Sequence, residues 1–189
     1  MLSRVLFACV CLGLYSACSS LSCRWMDQKF SQFSGASLDL LDMMVSGHFC
    51  IYSHELKDEE VIIIPFPHYL YRQASRAPME DKVAFMVQIL KEVSSLFEED
   101  HVSSSWEEVT EENFLSVINQ QADELHSCVR VIHISMWTNT RLHMYFKRLS
   151  RTVFGQMGHS REAWELVLKE IKAHLIKADH LVSSLVTRN

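Results

Sequence analysis

The sequence predicts an all-α protein, an up-up-down-down four-helix bundle with a fifth helix and a long first crossover loop. The 189 residues include only 5 Gly and 3 Pro, a composition that suits long helices and disfavours a β-sandwich or barrel. Apolar residues recur at the helical period in five separate stretches. All three prolines fall in one long connection, at 47–78. Bundles with long crossovers need such a connection, whereas an up-down-up-down bundle needs only short loops.

Residues 1–22 precede the helices and have the layout of a secretory signal peptide. Basic Arg4 is followed by an uncharged apolar run and then by small residues up to Cys23. Cleavage after Ser19 is the alternative. The apolar run is too short to span a bilayer, and no later stretch reaches the necessary length. Residues 23–189 are therefore expected to form one secreted, extracellular domain without membrane insertion.

The first helix is predicted over 25–45 and the long connection follows it. Within the connection, the apolar run 61–64 would alone indicate a strand. Since no second strand is predicted to pair with it, we interpret this run as an extended segment lying across the helices. A short helical turn is predicted over 68–75.

Four more amphipathic helices follow the connection, and short polar links separate them. Gly155 and Gly158 are predicted to break the fourth helix, and Ser160 is predicted to cap the fifth. The stretch 131–137 is ambiguous, because it can extend the third helix or cross to the fourth. The second to fifth helices are predicted over 79–97, 106–129, 138–154 and 161–186.

The charge balance restricts the classes of partner. The whole chain carries a net charge of −5, and removal of the signal with Arg4 makes the domain one unit more acidic. An acidic balance without a block of bases argues against nucleic acid and anionic membrane as main partners. No phosphate-binding glycine loop, nucleophile elbow or pair of histidines spaced for zinc is present. We therefore expect no enzyme activity, cofactor or metal, and we expect the ten histidines to lie at the surface.

Three cysteines remain after the signal is removed: Cys23, Cys50 and Cys128. In an oxidising compartment, an odd number predicts one disulfide and one leftover thiol. For Cys50, a buried free thiol is favoured over a bond between two chains, and no flanking pattern indicates a catalytic nucleophile. The protein is accordingly expected to be a monomer, with a Cys50-linked dimer as the alternative.

Several segments, in order along the chain, resemble the type I interferon family. The run QQADELHSCV resembles the end of the third helix of that family. The runs YFKRL and AWELVLKEI resemble motifs of its fourth and fifth helices, and a Phe-Pro pair matches its first loop. The start of the mature chain, CRWM, is more similar to fish than to mammalian interferons. These segments occupy 120–129, 145–149, 163–171, 66–67 and 23–26.

The resemblance implies a particular disulfide pattern. One bridge of the family ties the mature N-terminus to the end of the third helix, which here means Cys23 to Cys128. A second bridge would join Cys50 to the position that Glu162 occupies, so this bridge is absent. The pattern resembles the two-cysteine group of fish interferons, with Cys50 as an additional thiol.

The resemblance also implies a function, that of an antiviral cytokine that bridges two class II cytokine receptor chains. Bridging would trigger JAK-STAT signalling and expression of interferon-stimulated genes. A family arginine falls on Ala173, so Lys172 and Lys177 would supply the charge there; a solvated helix face is the alternative reading of each lysine. The implied contacts of one receptor chain are Ile51, Tyr52, His54, Lys57, Lys169, Lys172, Ala173, Ile176 and Lys177, and those of the other chain are Arg141 and His143.

Two other classes of protein are alternatives to this interpretation. An interleukin-10-like cytokine would usually carry different cysteine pairs and exchange helices between two chains. A secreted helical lipid carrier would need a deep apolar cavity, whereas the regular apolar stripes predict a filled core.

Overall fold

The computed structural model describes residues 24–46, 64–98, 108–130 and 139–186. Throughout these ranges the regular secondary structure is helical, which confirms the all-α prediction. A helical turn over 24–28 leads into the first long helix. The helices are α1 (Phe30–Ser46), α2 (His68–Ser75), α3 (Met79–Glu98), α4 (Glu108–Arg130), α5 (Thr140–Met157) and α6 (Arg161–Val186).

Four of these helices form a closed bundle. The helices α1 and α3 each pack against both α4 and α6, so α1, α4, α3 and α6 follow one another around the core. The fifth helix is α5, which packs outside the bundle on α3 and α6, and the short α2 also packs on α3 and α6. The predicted four-helix bundle with an additional helix is thus confirmed, as is the short helix over 68–75.

Ring contacts at the ends of the helices give their relative directions. Phe97, near the end of α3, lies 5.6 Å from Phe114 in the first part of α4 and 5.1 Å from Trp164 near the start of α6, measured between ring centroids. The α3 helix therefore runs antiparallel to α4 and α6. This is the relation expected between the second helix and the two descending helices of an up-up-down-down bundle.

The α3 helix is more deeply buried than its sequence pattern indicates. The helical period predicts an inward stripe for this helix that comprises Val83, Met86, Val87, Leu90, Val93, Leu96 and Phe97. This stripe omits Phe85 and Ile89, yet these residues are 1 % and 0 % exposed. The reason is that α3 packs against α2, α4, α5 and α6, so it buries more than one face. A helix surrounded in this way shows a broader apolar arc than a surface helix.

The predicted break at Gly155 is wrong. The α5 helix continues through Gly155 to Met157 and ends at Gly158, whose φ of 63° lies in the left-handed region. Glycine inside a helix is disfavoured by only about 1 kcal/mol, so packing against α6 overrides it. A positive φ, in contrast, is incompatible with a continuing helix.

Side-chain caps fix the beginnings of α5 and α6. The Asn139 side chain accepts hydrogen bonds from the backbone N–H groups of Arg141 and Leu142, at 3.1 and 3.2 Å. The Ser160 hydroxyl accepts one from the Ala163 N–H at 3.2 Å, which confirms the predicted cap of the last helix. Such caps stabilise a helix by about 1 kcal/mol each.

Gln121 of α4 is a buried amide without a hydrogen-bond partner. Its side chain is 0 % exposed, and neither its nitrogen nor its oxygen is hydrogen-bonded. We expect Gln121→Met to raise the free energy of unfolding by about 1–3 kcal/mol, because an apolar side chain of similar shape removes the unmet desolvation penalty. Urea denaturation measures this change. Gln120→Met, at the exposed neighbouring position, serves as the control, and an equal gain there or a loss at Gln121 would contradict the prediction.

Two sequence predictions concern residues outside the described ranges in whole or in part. Ile64, the last residue of the predicted extended run, is partly buried against the core. The other residues of that run and the ambiguous stretch 131–137 lie outside the described ranges.

Candidate functional site

Five of the predicted contact residues lie together on the outer side of α6. Lys169 and Ile176 are exposed, with Ile176 at 38 %, and Lys172, Ala173 and Lys177 are partly exposed. Their spacings of three and four residues make them neighbours on the helix surface. We call these five residues the α6 face. Their predicted role in receptor contact stays a prediction.

One lysine of the α6 face has an acidic partner on α1. The ammonium group of Lys172 forms an ion pair with a carboxylate oxygen of Asp42. Both side chains are more than a third exposed, at 39 % and 49 %, so solvent screening limits the pair to about 0–1 kcal/mol. A binding partner can therefore displace this pair with little loss of folding stability.

A second lysine covers the end of the crossover. The Lys177 ammonium lies 6.0 Å from the centroid of the Phe66 ring, within reach of a cation–π interaction. Phe66 lies two residues before the start of α2 and is partly buried against the core. This contact joins the crossover to the α6 face. The other predicted crossover residues, Ile51, Tyr52, His54 and Lys57, lie outside the described ranges.

His174 lies beneath the α6 face, and the expectation that the histidines lie at the surface is wrong for it. The side chain is 0 % exposed. Its ring centroid lies 4.5 Å from that of Phe66, 4.7 Å from that of Phe146 and 5.1 Å from that of Tyr145. The signal was present in the sequence, because position 174 lies within the apolar stripe, three residues after Ile171 and four before Ala178.

A single hydrogen bond holds the His174 ring to α2. The Tyr71 hydroxyl and Nδ1 of His174 share a hydrogen bond of 2.6 Å, while Nε2 has no hydrogen-bond partner. Burial lowers the pKa of His174 from 6.5 to about 3, so the ring is neutral at physiological pH. Burial also raises the pKa of Tyr71, and the negative charge of the Glu170 carboxylate raises it further.

A second tyrosine connects α5 to α6 in the same cluster. The Tyr145 hydroxyl donates a hydrogen bond of 2.9 Å to a carboxylate oxygen of Glu170. Burial raises the pKa of Tyr145, and the nearby Glu170 carboxylate adds to this shift. Both tyrosines therefore stay protonated, and the cluster has a structural role: it fixes α2 and α5 against α6.

The two remaining contact candidates lie on α5. Arg141 and His143 are exposed, and Nδ1 of His143 lies 3.1 Å from each carboxylate oxygen of Glu92 on α3. The start of α5 is held to α3 by a pair of hydrogen bonds between the Gln88 side chain and the Asn139 backbone. Nε2 of Gln88 donates to the backbone carbonyl of Asn139 at 3.1 Å, and the backbone N–H of Asn139 donates to Oε1 of Gln88 at 2.7 Å. This pair of bonds fixes the position of Arg141 and His143.

The two predicted contact regions face in different directions. Lys172 turns toward α1, whereas α5 lies over the groove that α3 and α6 form. The side chains of Arg141 and Lys172 therefore lie on separate surfaces of the bundle. This separation allows two partners to bind without competing for one surface.

Cys128, at the end of α4, is disulfide-bonded and 2 % exposed. Its predicted partner Cys23 and the predicted free thiol Cys50 lie outside the described residues. The pairing of Cys23 with Cys128 therefore stays a prediction.

The described ranges contain neither a cluster of metal-ligating side chains nor a membrane-spanning helix. Among these residues, no group of three or more His, Cys, Asp or Glu side chains is placed to hold a metal ion. Helices long and apolar enough to cross a membrane are likewise absent from this part of the chain. A pocket that Leu70, Phe85 and Asn139 help to line has a volume of about 100 Å³, below the ~300 Å³ at which small-molecule sites begin.

Comparison with known proteins gives matches over most of the chain. The family model of the interferon alpha/beta domain matches residues 26–185. Interferon a3 of Oncorhynchus mykiss is 31% identical over 180 residues, which cover 95% of this chain and 94% of that protein. The solved structure of zebrafish interferon 1 superposes with a TM-score of 0.66 at 26% identity, over 85% of this chain and 98% of that chain.

Proposed function

Because this chain belongs to the interferon alpha/beta family of cytokines, and is similar to fish type I interferons, we propose that it bridges two receptor chains as a secreted antiviral signal. The receptor chains would belong to the class II cytokine receptors. Their association would activate JAK-STAT signalling and expression of interferon-stimulated genes. The chain is a cytokine and not an enzyme; the bridging step is the proposal.

The observation that supports this proposal most directly is that the residues of the α6 face lie together above the buried His174 cluster. Ile176 presents an exposed apolar side chain beside basic Lys169 and Lys177, a combination that suits a protein interface with an apolar centre and a polar rim. The buried His174 cluster fixes α2 and α6 beneath it. A surface that is already ordered loses less conformational entropy when it binds.

The second receptor chain is assigned to the start of α5, at Arg141 and His143, and to the neighbouring part of α3. Arg141 is exposed there, and His143 reaches Glu92 across the two helices. Because this surface lies apart from the α6 face, both receptor chains would bind one cytokine molecule at the same time.

The α6 face is tested by reversing two of its charges. We expect Lys172→Glu with Lys177→Glu to weaken binding of one receptor chain by about tenfold or more, which corresponds to ~1.4 kcal/mol. The reversed charges repel the acidic groups that a basic face requires on its partner. Surface plasmon resonance with each receptor ectodomain measures the two affinities separately, and circular dichroism verifies the fold.

The matched control is Arg24→Glu with Lys29→Glu, which changes the net charge equally at two exposed positions near the start of α1. These positions precede Asp42 by 13 residues or more, or roughly 20 Å along a helix. Unchanged affinity in the Lys172 and Lys177 variant, or equal weakening in both variants, would refute the assigned face.

Cell assays test the function as a whole. Purified protein added to cultured fish cells is expected to induce antiviral genes, and deletion of either receptor chain is expected to abolish the response. Induction that persists without one of the chains would refute bridging.

The proposal also covers the processing and the oligomeric state of the secreted chain. We infer removal of residues 1–22 and a monomer, with a Cys50-linked dimer as the alternative. Mass spectrometry of the secreted protein would find Cys23 as its first residue, and a non-reducing gel would distinguish monomer from dimer. Membership of the interferon alpha/beta family excludes the two alternative classes, an interleukin-10-like cytokine and a secreted helical lipid carrier.

A further inference from the structure

The outer side of α5 concentrates positive charge on an acidic protein. Four bases share this side: Arg141, Lys147, Arg148 and Arg151, which are all exposed. At 100° per residue they fall within about one third of the helix circumference, along roughly 15 Å of its axis. We call this surface the α5 basic face. The chain as a whole carries −5 at a pI near 6.0, so the face opposes the net charge.

None of the four bases forms an ion pair with an acidic side chain of the described residues. The sequence of α5 contains no acidic residue. The carboxylates of Glu92 and Glu170 reach α5, but they contact His143 and Tyr145 respectively. The positive potential of the face is therefore available to a partner.

We propose that the α5 basic face binds a linear sulfated polysaccharide of the cell surface or extracellular matrix. The proposal rests on the extracellular location that is part of the proposed function. Guanidinium groups present two parallel N–H donors that match planar or tetrahedral oxyanions. A row of three arginines and one lysine along one side of a helix can thus contact successive sulfates of an extended chain.

The composition of the face favours a polyanion over a protein. Protein interfaces usually have a centre depleted of charge and rich in apolar or aromatic anchors. Here the exposed apolar residue is Met144, at 54 %, and four bases surround it. Burial against a protein would require a separate acidic partner for each base. A flexible polyanion can neutralise the bases while they stay hydrated, by release of counterions.

Sequence reasoning misses this face because the bases do not form a run. Lys147 and Arg148 are adjacent, but Arg141 and Arg151 are separated from them along the chain. Only the helical repeat, together with the burial of Leu142, Phe146 and Leu149 on the opposite side, brings the four bases to one surface.

The test is chromatography of the mature protein on immobilised heparin at pH 7.4 and about 150 mM salt. An acidic protein without a local basic face is not expected to be retained. We expect retention of the wild type and a log–log dependence of affinity on salt with a slope on the order of −3 to −4, the number of bases engaged. The α5 variant replaces Lys147, Arg148 and Arg151 by Gln and keeps Arg141, because Arg141 is assigned to the second receptor chain; this variant is expected to lose retention.

The matched control removes three exposed bases elsewhere: Arg24, Lys29 and Lys91 are replaced by Gln. Retention of this variant together with loss in the α5 variant would support the proposal. Flow-through of the wild type, or equal loss in both variants, would overturn it.

Heparin retention and gene induction together distinguish a failure of polysaccharide binding from a failure of receptor bridging. Gene induction is measured on heparinase-treated cells, where the sulfated polysaccharide is absent and the receptors remain. Polysaccharide binding is overturned if the wild type is not retained on heparin and the α5 variant fails to induce genes on the treated cells. That pair of results would assign the face to a receptor. Loss of heparin retention in the α5 variant with normal induction on treated cells would support polysaccharide binding.

Discussion

Cys128→Ala is expected to lower the free energy of unfolding by about 4–5 kcal/mol. Cys128 is disulfide-bonded at the end of α4, and its predicted bond to Cys23 closes a loop of roughly 100 residues. In the chain-entropy account, such a loop restricts the unfolded chain by about this amount. The midpoint of thermal unfolding should fall by roughly 10–15 °C, since ~1 kcal/mol corresponds to 2–4 °C in a domain of this size. Urea and thermal denaturation measure the two quantities.

The other cysteines identify the partner of Cys128. Cys23→Ala should cause the same loss as Cys128→Ala, and the double variant should lose no more than either single variant, because one bond cannot be removed twice. Cys50→Ala is the control and should leave the stability near that of the wild type. A large loss at Cys50 with none at Cys23 would show that the predicted pairing is wrong.

The second large effect is expected from the protonation of His174 in acid. Its pKa is about 3 in the folded protein, against 6.5 for an unperturbed histidine. The unfolded chain therefore binds more protons than the native protein between these two values. The free energy of unfolding falls as the pH falls below 6.5 and stops falling near pH 3. At pH 4 the expected loss is about 3 kcal/mol relative to pH 7, at 1.36 kcal/mol per pKa unit.

The measurement is urea denaturation at several pH values, and it compares the wild type with His174→Gln. Glutamine has a similar size and can bond to the Tyr71 hydroxyl, but it does not titrate. The free energy of unfolding of the wild type minus that of His174→Gln should fall by about 3 kcal/mol from pH 7 to pH 4, because only the wild type loses stability through this residue. His180→Gln, at an exposed position on α6, should retain the wild-type profile. Parallel profiles for the wild type and His174→Gln would contradict the assigned neutral state.

The His174 cluster also joins the crossover and α2 to α6. Phe66 and Tyr71, which contact His174, belong to the end of the crossover and to α2. Protonation of His174 would place an unpaired charge among aromatic rings, which is unfavourable. Acid is therefore expected to weaken the packing of α2 and the crossover against α6.

Periodicity in the sequence determined the number of helices and most of their bounds. The predicted last helix, 161–186, and the predicted short helix, 68–75, coincide with α6 and α2. Both have local signals: Ser160 caps α6, and Pro67 and Pro78 limit α2 on either side. The bound at Gly155 was wrong because a local preference of about 1 kcal/mol is smaller than the packing of α5 on α6.

By itself, the sequence determined the fold class, the apolar stripes and the family resemblance, since these depend on residue types and on their order along the chain. Only the tertiary structure decided that α5 is the helix outside the bundle and that His174 is buried. It also decided that Arg141, Lys147, Arg148 and Arg151 share one surface without an ion-pair partner among the described residues. Helical periodicity gives the angle of a side chain about its own helix. It does not give the neighbour that the side chain meets, because that depends on how residues far apart in the sequence pack together.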